Sequence, residues 1–179
     1  LFKNTQTEVY RATRESDGHS VIVRTFSESG SGDEPDKQSS GSFTSSRYSR
    51  LAFTREILSQ LDHPNIIKVV DWVEDKHCPK LILEDIQGYD LWRYAENFEF
   101  KQLPVKHFLE IAIQLADALS VIHHAQIIHK DLHPGNIVVG HGNNQDKQKP
   151  RVQIIDFGLA SLLSREQPAL SSPDKLEGI

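Results

Sequence analysis

"IIHKDLHPGNIVVG", residues 127–140, sets His129, Lys130, Asp131, His133 and Asn136 between two β-branched, apolar flanks. Polar groups held between such flanks cost stability unless they are hydrogen-bonded or used. The same arrangement recurs downstream in "RVQIIDFGLAS", residues 151–161, where an apolar run delivers Asp156 to its end. The two loops therefore pose one question: what chemistry requires His129, Asp131, His133, Asn136 and Asp156 at the edge of a greasy scaffold.

Composition narrows the answer. A chain of 179 residues with 37% hydrophobic content is long enough to bury a core as one domain or as a domain of two lobes. A net charge of −5 gives no basic footprint for nucleic acid. No apolar run approaches the roughly 20 residues that a membrane-spanning helix needs. Cys78 stands alone, which excludes a disulfide framework and a cysteine zinc set and fits a reducing, cytoplasmic compartment. The histidines do not build a closed metal site either: His123 and His124 are adjacent, and His129 and His133 flank Asp131 without matching ligand spacing.

Outward from the opening stretch, local patterns suggest the elements. "EVYRATRESDGHSVIVR", residues 8–24, reads as a hairpin turning at Ser16, Asp17 and Gly18. Residues 27–50 are rich in Ser, Gly and acidic groups and read as a flexible insertion. "LAFTREILSQL", residues 51–61, spaces Phe53, Ile57, Leu58 and Leu61 as a helix that "HPN" stops. Strands are expected near 66–73 and 80–85. A long helix follows over about 104–124, with Phe108, Ile111, Ala112, Leu115, Leu119 and Ile122 on its buried face. "GHGNNQDKQKPR", between the two loop-bearing strands, reads as a solvated hairpin tip.

An acidic loop at Asp131, a second at Asp156 and an apolar helical floor suit phosphoryl transfer, in which positioning and charge neutralisation supply most of the catalysis. The order "HPNI", then "HKDLHPGN", then "DFG" behind a β-branched strand resembles the signature set of the eukaryotic-type serine/threonine protein kinases. The resemblance extends over essentially the whole chain. It implies an α+β, bilobal protein-kinase-like fold: an N-terminal lobe over 1–86 and a C-terminal lobe over 87–179, truncated because no A-P-E-like anchor follows "DFG".

Carried over residue by residue, the resemblance makes Asp131 the catalytic base and has Asn136 and Asp156 hold Mg²⁺ beside ATP, with Gly158 turning the loop. Leu83 would guard the nucleotide pocket and the backbone of Glu84 and Ile86 would meet the adenine edge. Val9 and Val138 would sandwich the base. Asp90 either reaches the ribose or caps the next helix. His129 would join Leu58, Val69 and Phe157 in the stack that couples the lobes. The implied partner is a protein substrate, phosphorylated on serine or threonine.

Several positions depart from that pattern. The three glycines of the phosphate loop read Phe2, Asn4 and Thr7. The lysine position of the third strand is Arg24, and the glutamate that usually faces it reads Thr54, with Glu56 on roughly the opposite side. Arg24 is thus expected to lack a carboxylate partner, and Mg·ATP to bind more weakly than in typical kinases. These substitutions keep a pseudokinase acting as a scaffold or nucleotide sensor as an alternative. Lys130 replaces the arginine that reads a phosphorylated activation loop. His133 in "DLHPGN" is instead similar to the catalytic loop of aminoglycoside and choline phosphotransferases, a second alternative. A narrower likeness, carried by "VIHHAQIIHKDLHPGNIVV", is to kinase-like domains at the front of large multidomain sensor, ATPase and histidine-kinase chains. In a truncated lobe the long helix is expected to expose an apolar face.

Overall fold

Strands form where β-branched residues alternate with polar ones, and the first two do so on either side of a turn that glycine makes possible. The computed structural model describes residues 3–4, 7–26, 40–75, 78–98, 102–141 and 149–163. In it β1 (Lys3–Asn4) and β2 (Thr7–Thr13) pair antiparallel, and β2 pairs with β3 (Ser20–Thr25). Gly18 adopts φ +73° in the turn, where its amide donates to Arg14 O at 2.8 Å. After helix α1 (Ser40–Ser59) come β4 (Val69–Val73) and β5 (Lys80–Glu84), which complete a five-stranded antiparallel sheet in the order β1-β2-β3-β5-β4.

The second half begins with a short strand β6 (Tyr89–Asp90), the one-turn helix α2 (Leu91–Ala95) and the long helix α3 (Val105–His124). Strand β7 (Ile127–Ile128) pairs antiparallel with β10 (Ser161–Leu162). Strands β8 (Ile137–His141) and β9 (Pro150–Ile154) form an antiparallel hairpin extended by β6. One main core joins the halves: Ile57 and Leu58 of α1 and Leu61 just past its end, Leu81 and Leu83 of β5, Ala118 and Ile122 of α3, and Ile154 and Phe157 beyond. Each fully buried Ile, Leu or Phe contributes on the order of 1.5–3 kcal/mol relative to exposure.

Three expectations about the elements change. Helix α1 starts at Ser40, so residues 40–50 are helical and not part of a flexible insertion; residues 27–39 lie outside the described region. Composition misled because the helix is anchored at its other end. Once Leu51, Ile57 and Leu58 are packed, adding a turn upstream costs far less than nucleating one. The buried stripe of α1 is Leu51, Thr54, Ile57 and Leu58, whereas Phe53 is exposed. On α3 Phe108 is exposed, together with Val105, Leu109 and Ile113, while Ile111, Ala118 and Ile122 are buried. The tip at 142–148 and residues 164–179 lie outside the described region.

Candidate active site

Two backbone positions set the loops. Lys130 and Asp156 both occupy the left-handed region, at φ +64° and +60°, without being glycine. Each bends the chain sharply as it leaves its apolar run, at a conformational cost of order 1 kcal/mol that the surrounding bonds must hold. Around Lys130 those bonds start at His129, which is buried. The Asp131 amide donates to His129 Nδ1 at 3.3 Å, leaving the ring proton on Nε2, 3.0 Å from the carbonyl of Ile155. Burial pushes the His129 pKa down, so the ring stays neutral. Its edge also meets Phe157 at 4.7 Å between centroids, and Leu58 and Val69 belong to the same core. Of the stack expected from the sequence, the His129–Phe157 contact is made, and one histidine ties the Asp131 loop to the Asp156 loop.

Asp131, Asn136 and His133 form the second cluster. Asn136 Nδ2 donates to the Asp131 carbonyl at 2.9 Å and to Asp131 Oδ2 at 3.0 Å, and lies 3.1 Å from His133 Nε2. His133 caps the 3-10 turn Pro134–Asn136 by accepting from the Gly135 amide at 3.1 Å. The Asn136 carbonyl accepts from Ile155 N–H at 3.0 Å, which places Asn136 beside Asp156. With Nδ2 turned to Asp131, Asn136 Oδ1 is a hard oxygen donor, as are the carboxylates of Asp156 and Asp131. That donor set suits Mg²⁺, which keeps several waters and takes further oxygens from a phosphate-bearing substrate. No group of three or more His, Cys, Asp or Glu among the described residues is arranged to hold a metal.

Arg24 enters from the sheet. Val9 pairs directly with Arg24, and Ile22, two residues back on β3, pairs with Leu83. Val9, Arg24 and Leu83 therefore share one face, the face that Leu81 and Leu83 turn toward α1 and Phe157. Thr54 is buried on α1, and its hydroxyl donates to Arg50 O at 2.9 Å. Arg24 nevertheless has a carboxylate partner, contrary to the expectation: its Nη1 donates to Asp156 Oδ1 at 2.5 Å. Sequence reasoning looked for that partner on α1, whereas the fold supplies it from the far end of β9. Burial alone would raise the Asp156 pKa, but Arg24 and the Gly158 amide, which donates at 3.0 Å, outweigh it and hold the carboxyl below its usual range.

The hinge residues are fixed from both sides. The Glu84 amide donates to Lys68 O at 3.0 Å. The Gln153 amide bonds the Glu84 carboxylate, and Arg151 stands 3.7 Å from it. Desolvation raises the Glu84 pKa, against the pull of Arg151 and Lys68. Val138 pairs with Gln153 across β8 and β9, so it lies on the hinge side of that hairpin. The Ile86 carbonyl sits against Gly140, where a Cβ would come within 2.8 Å of it. Asp90 caps α2 by accepting from the Arg93 amide at 3.0 Å, and Asp85 is held by Arg11 at 2.5 Å and Ser20 at 2.6 Å. Sequence reasoning singled out neither Asp85 nor Gln153; the available signal was a lone amide inside the β-branched run "RVQII".

The model of the protein kinase domain family matches residues 5–175. The chain is 34% identical over 140 residues to the serine/threonine-protein kinase PkaA of Streptomyces coelicolor, covering 72% of this chain and 24% of that protein. It is 33% identical over 106 residues to the serine/threonine-protein kinase PrkC of Bacillus subtilis, covering 59% and 15%. It is 36% identical over 108 residues to the serine/threonine-protein kinase ATG1b of Arabidopsis thaliana, covering 60% and 14%. The chain thus spans less than a quarter of the length of these relatives. No helix among the described residues is long and apolar enough to cross a membrane.

Proposed function

The chain belongs to the protein kinase domain family, and from that premise we propose that it binds ATP between the five-stranded sheet and the two acidic loops and transfers the γ-phosphate to a serine or threonine hydroxyl of a protein. The observation that carries this reading is the Asp131–Asn136 pair, locked at 2.9 and 3.0 Å and set beside Asp156 by the Ile155 to Asn136 bond. In this reading Asp131 accepts the proton of the attacking hydroxyl. The carboxylate is 38% exposed; Oδ2 takes the Asn136 bond, and Oδ1, with His133 Nε2 3.8 Å away, is the oxygen for an incoming donor. Asn136 Oδ1 and Asp156 would hold Mg²⁺, which supplies neutralisation of the phosphate charge. Val9 and Val138 flank the base, Leu83 closes the back of the pocket, and the backbone of Glu84 and Ile86 faces the adenine edge.

A second reading, a nucleotide-sensing pseudokinase, is favoured by Thr54 in the place of a carboxylate and by the engagement of Arg24 with Asp156. Asp131→Asn separates the two. On the enzyme reading it lowers phosphoryl transfer to a protein substrate by about 10²- to 10⁴-fold while leaving nucleotide binding in place. No transfer from the intact chain under any protein substrate tested, with nucleotide still bound, would establish the second reading.

A further inference from the structure

Arg24 departs from the family's lysine, and its side chain has little freedom. It is 17% exposed, with Nη1 on Asp156 Oδ1. Its Nη2 passes over Gly158, where a Cβ would lie within 3.0 Å of that nitrogen, so a residue larger than glycine would displace the guanidinium. Thr54 keeps its hydroxyl on Arg50 O and offers no carboxylate to draw Arg24 away. Asp156 Oδ1 is filled twice, by Arg24 and by the Gly158 amide. Arg24 Nε is buried with no partner among the described residues. A guanidinium stays charged at all physiological pH and carries five donors, of which the described contacts use one. The site therefore holds a permanent cation on the carboxylate where a divalent ion would bind, with unused Nη donors left over for phosphate oxygens.

We propose that Arg24 is a resident counter-cation for Asp156, so that nucleotide phosphates bind through the guanidinium and a divalent metal adds little to that affinity, its part being in the transfer step. This rests on reading the site as a nucleotide site. Arg24 supplies charge that Mg²⁺ would otherwise bring, and a metal arriving at Asp156 Oδ2 meets a carboxylate whose charge the guanidinium on Oδ1 already offsets. A lysine in the same place, with a single-point ammonium, would leave the carboxylate open to the ion.

Calorimetric titration of the intact chain with ADP, in EDTA and again in excess Mg²⁺, tests this. The expected affinities differ by no more than about threefold. Arg24→Lys should make Mg²⁺ tighten ADP binding by about tenfold or more, and Asp156→Asn should hold or improve ADP binding in EDTA, because the guanidinium is released to the phosphates. Tighter binding by tenfold or more with Mg²⁺ in the unmodified protein would overturn the proposal and leave the nucleotide reading standing. Metal-independent binding retained by Arg24→Lys would also overturn it, since the cation would then lie elsewhere. Absence of ADP binding in both conditions would defeat the nucleotide reading itself. The unmodified protein decides the central point, so a variant that misfolds does not suspend the test.

Discussion

Replacing Asn65 by alanine should cost the protein about 2–4 kcal/mol. Asn65 is 8% exposed, and its Nδ2 donates to Gln114 Oε1 of α3 at 2.8 Å and to Val152 O of β9 at 2.7 Å. The substitution removes both bonds. Gln114 Oε1 keeps the Val152 amide at 3.1 Å, so its loss is a net bond of about 1 kcal/mol. Val152 O loses a donor inside the core, and an under-satisfied buried acceptor costs about 1–3 kcal/mol. Asn65→Asp distinguishes this account from one based on volume. It preserves size but sets a carboxyl against two acceptors, so at neutral pH it should cost at least as much as alanine. In mild acid a protonated carboxyl regains one donor and the deficit should shrink. Urea unfolding followed by the fluorescence of Trp72 and Trp92 measures both variants, with the midpoint falling and the slope unchanged. A loss below about 0.5 kcal/mol for alanine, or an aspartate better tolerated than alanine at neutral pH, would refute the reasoning.

Gly140→Ala places a Cβ within 2.8 Å of the Ile86 carbonyl and must move the hinge, so it should destabilise by about 1–3 kcal/mol and weaken ADP binding, measured by melting and by titration. His129 is a base whose folded pKa lies below its unfolded value of ~6.5. The unfolded chain then binds the extra proton first, and stability should be complete above that value and decline as pH falls below it, down to the folded pKa. His129→Phe should flatten that part of a pH series of urea midpoints; an unchanged slope would assign the loss to another group.

Local patterns revealed the hairpin at 8–24, the long helix at 104–124 and both acidic loops, because each is encoded within a single run of residues. The inward place of Thr54 followed from the helical count back from "HPN". What stayed illegible depends on contacts between distant segments. Phe53 reads as core by its chemistry, but Thr54 holds the buried register because α1 is rotated by its packing on β4 and the turn that holds Phe157. The Arg24–Asp156 pair joins residues 132 positions apart. Nothing local at either end announces it. The first half of α1 was hidden for a different reason: its composition is that of a loop, and only packing further along the helix makes it fold.

Two backbone connections among the described residues cross the middle of the chain. One is covalent, the hinge from Glu84 to Asp90. The other is the strap in which Ile66 bridges Ile154, the Ile67 amide donates to Ile154 O at 3.0 Å, and the Ile154 amide donates to Asn65 O at 2.9 Å. In rigid-body terms, the line through these two connections is the axis about which rotation strains the backbone least, and the core shared by the two halves limits the angle. Sliding and twisting would have to break one connection, whereas a rocking motion breaks neither. Such an axis turns the sheet against the acidic loops as a lever does, and the lever arm to Arg24 sets how far a small rotation separates it from Asp156.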